Sequence, residues 1–330
     1  MRSVTLLVTT TLLLSTTTGC GVGAGLAGIK APPVAVTTDA ALSTEQARSV
    51  LRRQFTAAQQ AAPGAATAPE ASAAAYTGPA LLAAQARLKL GASAGGTGGP
   101  AALAPEQPGL LAVSRGVGYP RALLAQTIPS SNALPVLHLL VSPDVATPFR
   151  IASSATMLPA SSVQPFAAPG AGSPLVTDGL DLAVRPAALF DAYAQALSFA
   201  TTLPASAPFA TDPFLAQVRL NATNQARAVV TQASFVQKHE VVPGSIYAVQ
   251  QADGAALAFG VLRRTDTFTV KPGQTITAPA DFVALVPGKS RITRTAVMQT
   301  LEFLVFEVPK RSGPAVLVAA QDQLVAGSGA

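Results

Sequence analysis

The chain has 330 residues, with 22 lysines and arginines against 16 aspartates and glutamates, two histidines, one cysteine and no tryptophan. One cysteine excludes an internal disulfide framework, and one cysteine with two distant histidines excludes a Cys/His metal cluster; no cofactor is expected. The cations are not gathered into one tract and no recognition motif accompanies them, which argues against nucleic acid as a partner.

The first 19 residues read as a secretory leader. Arg2 supplies a positive start, residues 4–14 are apolar although diluted by threonines, and small residues lead to Thr18-Gly19 before Cys20. The apolar run is too short to span a bilayer, which takes about 20 residues. Gly19-Cys20 resembles the lipobox of bacterial lipoproteins, with Thr17 standing where that pattern usually has leucine. The resemblance implies that Cys20 receives a diacylglyceryl group, with palmitate-type chains, and becomes the mature N-terminus. A two-chain anchor of this kind holds a protein firmly, each buried methylene contributing about 0.8 kcal/mol. The expected location is therefore the extracytoplasmic side of the cell membrane. Residues 20–42, rich in glycine, alanine and proline with few charges, read as a tether.

The first folded region is expected over residues 43–160. Ser43 followed by Gln46 has the spacing of a capping box, and Ala47, Val50, Leu51, Phe55 and Ala58 form one apolar side of a helix. A second helix follows Pro79. After a glycine-rich break come strands at residues 110–114 and 121–128, then a hairpin from 135–142 and 149–158.

Residues 161–185, rich in proline and glycine, read as a linker. The second folded region, 186–330, replays the order. One helix starts at Pro186, another at Thr211-Asp212-Pro213. Strands follow at 229–241, 245–250, 256–264 and 266–270, with Asp253-Gly254 as a hairpin turn, then a last hairpin at 300–308 and 315–320. The two terminal hairpins can be superimposed in type: residues 137–141 on 301–305, each followed by a proline-bearing turn. The expected fold class is α+β, as two tandem repeats with N-terminal helices packed on a curved antiparallel sheet. This arrangement resembles the cone-shaped fold of nuclear-transport-factor-like and cystatin-like domains.

The mature chain also resembles a family of actinobacterial lipoproteins without an assigned activity, in the stretches 147–159, 235–243, 254–264 and 300–308. The resemblance implies envelope location and fold and carries no chemistry.

Candidate chemistry is sparse. His138, flanked by Leu137 and Leu139, reads as a packed or hydrogen-bonded strand residue, and His239 as exposed at a strand end or against the sheet mouth. Ser153-Ser154 lacks the Gly-x-Ser-x-Gly elbow of a nucleophile. The glycine-rich stretches lack the Lys-Ser/Thr of a phosphate loop. Lys289, Arg291 and Arg294 form a local basic cluster, read as a binding patch for anionic lipid, wall polymer or an envelope protein. The expectation is a non-catalytic binding or scaffolding lipoprotein and not an enzyme. A carrier of a lipid or other apolar molecule is the alternative, and a hydrolase or isomerase using His239 with a carboxylate such as Asp266 the third.

Overall fold

Ser43 and Gln46 close the capping box: Gln46 N donates to Ser43 Oγ at 3.2 Å and Ser43 N to Gln46 Oε1 at 2.9 Å. They start α1 (Thr44–Gln60), whose Ala47, Leu51, Phe55 and Ala58 are buried as their spacing predicts. The computed structural model describes residues 39–63, 67–91, 108–129, 133–179, 181–202 and 206–330, so the leader, Cys20 and the tether up to residue 38 lie outside the described residues. Helix α2 (Ala68–Ala75) is absent from the expected elements. Its buried side is Ala68, Ala71, Ser72 and Ala75, with no large apolar residue to mark a period. Helix α3 (Gly78–Leu90) follows as expected, Pro79 near its start.

Strands β1 (Gly109–Val113), β2 (Arg121–Thr127), β3 (Val136–Ser142) and β4 (Arg150–Met157) form an antiparallel meander at the expected positions. The linker is bound down rather than looped out, bridging Ser173 to Ser114 and Leu175 to Val249. Helix α4 (Pro186–Leu197) and helix α5 (Pro213–Val229) come next, with Asp212 capping α5 by accepting from Leu215 N at 2.8 Å.

The second set of strands is longer than the sequence pattern suggests. It comprises β5 (Ala233–Val241), β6 (Tyr247–Gln250), β7 (Ala256–Val270), a β8 (Ile276–Thr277) and β9 (Arg291–Ile292) ribbon enclosing α6 (Ala280–Leu285), and the hairpin β10 (Thr295–Val308) and β11 (Val316–Gly329). Strand β7 runs through Arg264 and Asp266, where a break was expected, and β11 continues past Ala320 to Gly329. The turn at Asp253-Gly254 joins β6 to β7 as expected, Gly254 taking a φ of +89°.

The fold is α+β, with helices and one large antiparallel sheet that is not closed. Its strand order is β1-β2-β3-β4-β11-β10-β7-β5, with β6 also on β7. The two sets of strands join through their last members, over Met157 with Ala319 and Thr156 with Ala320. Away from this short junction α3 packs against both β4 and β11 and reaches α6. A further parallel feature links the sets: Tyr76, just before α3, bridges to Ile151 near the start of β4, and Phe209, just before α5, bridges to Ala315 at the start of β11.

Both strand sets share one core. Leu51 and Phe55 of α1, Leu123, Leu137 and Leu139 of the first set, and Phe259, Val261, Leu301 and Phe303 of the second lie in a single buried cluster. The alternate residues of β10, Leu304, Phe306 and Val308, belong to a second cluster with Leu189, Phe190 and Leu197 of α4. Phe190 and Tyr193 both meet Phe306 edge-on, at 5.5 and 4.9 Å between ring centres. A third cluster gathers Phe235, Phe268 and Ala222 with Phe282 of α6.

Gly260 of β7 lies directly under Phe190, where a Cβ would come within 2.5 Å of the ring. Gly260→Ala is expected to destabilise the fold by about 1–3 kcal/mol through overpacking. Denaturant unfolding measures this, and Phe190→Leu in the same background should recover part of the loss.

Candidate functional site

Two polar sites are buried in the sheet, one under each histidine. His138 of β3 is fully buried, its ring edge-on to Phe55 of α1 at 4.8 Å between centres. Its Nε2 pairs with Thr127 Oγ1 at 2.9 Å and its Nδ1 with Ser154 Oγ at 2.8 Å. Burial lowers its pKa to about 3, so the ring is neutral at ordinary pH. Both nitrogens are bonded inside the sheet, which matches the packed strand residue expected at this position.

His239 departs from its expected exposure. It lies on β5, its side chain has no exposure, and its Nε2 stands 3.3 Å from Glu302 Oε1, itself fully buried on β10. The strand register explains why. His239 is opposite Arg264 on β7, Arg264 is opposite Thr300 on β10, and Glu302 is opposite Asp322 on β11. Residues directly opposite each other share a face of the sheet, so these side chains converge beneath α4. Ser198, just past the end of α4, accepts from His239 N at 3.0 Å and ties that helix to β5.

Arg264 is the hub. Its Nη1 lies 3.1 Å from Glu302 Oε1 and 3.8 Å from Asp322 Oδ2, and its Nε 3.2 Å from Asp266 Oδ2. Its Nη2 donates to Thr300 Oγ1 at 3.3 Å. The Nε contact is a charge contact without hydrogen-bond alignment. Gln237 Nε2 donates to Asp266 Oδ1 at 2.9 Å. Burial raises the pKa values of Asp266 and Asp322, and Arg264 offsets part of that rise. Burial disfavours the charged guanidinium, but Glu302, Asp266 and Asp322 outweigh it and move Arg264 upward. Beside this network Tyr193 Oη donates to Asp212 Oδ2 at 2.9 Å, linking α4 to the cap of α5.

This network meets solvent at Arg264 and Asp322, whose side chains are 19% and 46% exposed. His239 and Glu302 are sealed beneath them. A general base has to reach the proton it removes, and both side chains of this pair have no exposure. The pairing of His239 with Asp266, one of the sequence expectations, is replaced by pairing with Glu302, and Asp266 is held by Arg264 and Gln237.

An open groove of about 410 Å³ lies at the opposite end of β4 from Arg150. Leu137 and Met157 line it with Leu110 and Leu111 of β1, and residues 161–166 of the linker form its other wall. That wall is fastened to the second set of strands: Ala252 N donates to Pro165 O at 2.9 Å and Gln251 Nε2 to Gln164 O at 3.1 Å. The groove therefore lies where the linker crosses from one set of strands to the other. Its lining mixes apolar side chains with Gln126, Ser161 and Ser162.

Lys289, Arg291 and Arg294 are exposed around β9. Cys20 lies outside the described residues. Among the described residues no group of three or more His, Cys, Asp or Glu is placed to hold a metal ion, and no helix is long and apolar enough to cross a membrane. Ser153 is buried and Ser154 is engaged with His138. The sequence signal that was missed is Glu302: a carboxylate in the middle of an apolar strand needs a buried partner.

Removing Arg264 leaves Glu302, Asp266 and Asp322 together without their cation. Arg264→Met is expected to cost about 3–5 kcal/mol at pH 7.5, as for a broken buried pair. The loss should shrink towards pH 5, because burial already raises the pKa values of Asp266 and Asp322 and a protonated carboxyl needs no cation, and Glu302→Leu added to Arg264→Met should return part of it. Urea unfolding at the two pH values measures both effects.

No family model, no curated protein and no solved structure matches this chain, so its function is read from its own residues.

Proposed function

We propose that this protein is a lipid-anchored extracytoplasmic lipoprotein that acts by binding or scaffolding at the bacterial cell envelope. The observation that carries the reading is Gly19-Cys20: the only cysteine of the chain follows a small residue at the end of an export-like leader. The open groove beside the linker supports the binding half of the reading. Its volume lies within the range of small-ligand pockets, and its mixed lining suits a partner with both polar and apolar parts. The basic patch at Lys289, Arg291 and Arg294 suits anionic lipid, wall polymer or an envelope protein.

The architecture belongs to the same proposal. The two halves are read as copies of one plan, each with leading helices and antiparallel strands, on the pattern of nuclear-transport-factor-like or cystatin-like cones and of the actinobacterial lipoproteins that the chain resembles. The strand order, which runs outward from β4 and β11 in the same way on both sides, supports duplication.

The other two readings are weaker for physical reasons. A carrier needs an empty apolar interior, and beneath α4 that space is filled by Phe190, Tyr193 and Phe306. A hydrolase or isomerase needs His239 free for a substrate, and Glu302 engages it in a sealed position.

In the native host, Cys20→Ser is expected to move the protein from the membrane fraction to the medium, and only the wild type should take up a clickable palmitate analogue. Retention of the variant in the membrane fraction would sink the anchored reading.

A further inference from the structure

We infer that the end of the sheet at which the chain emerges from the tether is a membrane-seating surface for anionic phospholipid. The inference rests on the anchored reading above. Asp39 and Ala40 are fixed at the turn between β1 and β2, where Gly116 N donates to Asp39 O at 2.9 Å and Ala40 bridges to Arg115. Antiparallel pairing carries this end across the sheet. The start of β2, the turn between β3 and β4, the end of β7 and the start of β10 all lie on it.

What these loops present is unusual for a surface left to water. Between residues 267 and 300 four cations, Lys271, Lys289, Arg291 and Arg294, accompany a single carboxylate, Asp281. All four cations are exposed, and among the described residues none pairs with a carboxylate. Backbone contacts join the segments that carry them: Val270 N donates to Arg294 O at 2.7 Å beside Lys271, and Arg291 pairs with Thr277 in the β8–β9 ribbon. The other loops of this end carry exposed apolar tips, Val145 at 85% and Val117 at 69%. Tyr119, in the same loop as Val117, is exposed, with the Arg121 guanidinium 4.5 Å above its ring. Asp144, beside Val145, is turned into its own loop, its Oδ1 accepting from Ala146 N and Thr147 N.

Cations with apolar and aromatic tips are the chemistry that seats a protein on a charged bilayer. The cations answer the negative surface potential, and the tips enter the headgroup boundary. An anchor inserted through Cys20 would bring this end to the membrane first, and the surface would then set the orientation of the body and leave the groove near Met157, at the opposite end, facing outward.

The test uses the full chain with Cys20→Ser, so that no acyl group contributes, and vesicles of phosphatidylglycerol or phosphatidylcholine. The protein should sediment with phosphatidylglycerol and stay in solution with phosphatidylcholine. Each cation near the surface is worth about fivefold, so Lys289→Glu with Arg291→Glu and Arg294→Glu should weaken association by about 100-fold or more. Lys310→Glu at the opposite end should leave it unchanged, and matched melting temperatures keep unfolding out of the comparison. No association with phosphatidylglycerol, or equal losses from Lys310→Glu and the triple variant, overturns the inference. So does tighter binding to a soluble polyphosphate chain than to vesicles at equal phosphate, which assigns the patch to a wall-type polymer. Acylation of Cys20 is read separately in cells, so a failed anchor and a failed surface give different results.

Discussion

Strand β10 is buried on both faces from Thr300 to Phe306, and that constraint governs the rest of the structure. Leu301, Phe303 and Val305 look into the core shared with α1 and the first meander, while Leu304, Phe306 and Val308 look towards α4. A stretch with no solvent face cannot hydrate a polar side chain, so any such residue within it has to find partners inside the protein. Glu302 is that residue. Its charge is compatible with the strand because Arg264 stands one strand away and His239 two strands away on the same face. The ionic network is thus a consequence of placing a carboxylate in the middle of the sheet, and it ties β5, β7, β10 and β11 together.

The same constraint joins the halves. Direct strand pairing between β4 and β11 covers only two residue pairs, far too little to hold two bodies together. What unites them is side-chain burial: residues of β7 and β10 complete the core of the first meander, and α3 packs against both β4 and β11. Apolar surface at this junction is worth about 25 cal/mol per Å² removed from water, so the shared core rather than the two-pair ladder carries the connection.

Much of this was legible in the sequence. Capping at Ser43 and Asp212, the two hairpins, the Asp253-Gly254 turn and the packed character of His138 follow from short-range rules that the structure obeys. Helix α2 escaped because alanines carry no contrast between a buried and an exposed side. The break expected at Arg264–Asp266 reflects a general rule that charges interrupt buried strands. Here the charges satisfy one another across the sheet, a pairing that depends on a register set by residues far apart in sequence. His239 was misplaced for the same reason, since its burial depends on Glu302, 63 residues later.

A shared core makes the two halves one cooperative body. Differential scanning calorimetry of the chain tests it most directly. One transition, with calorimetric and van't Hoff enthalpies in agreement, is the predicted result. Two resolved transitions, one for each half, would contradict it.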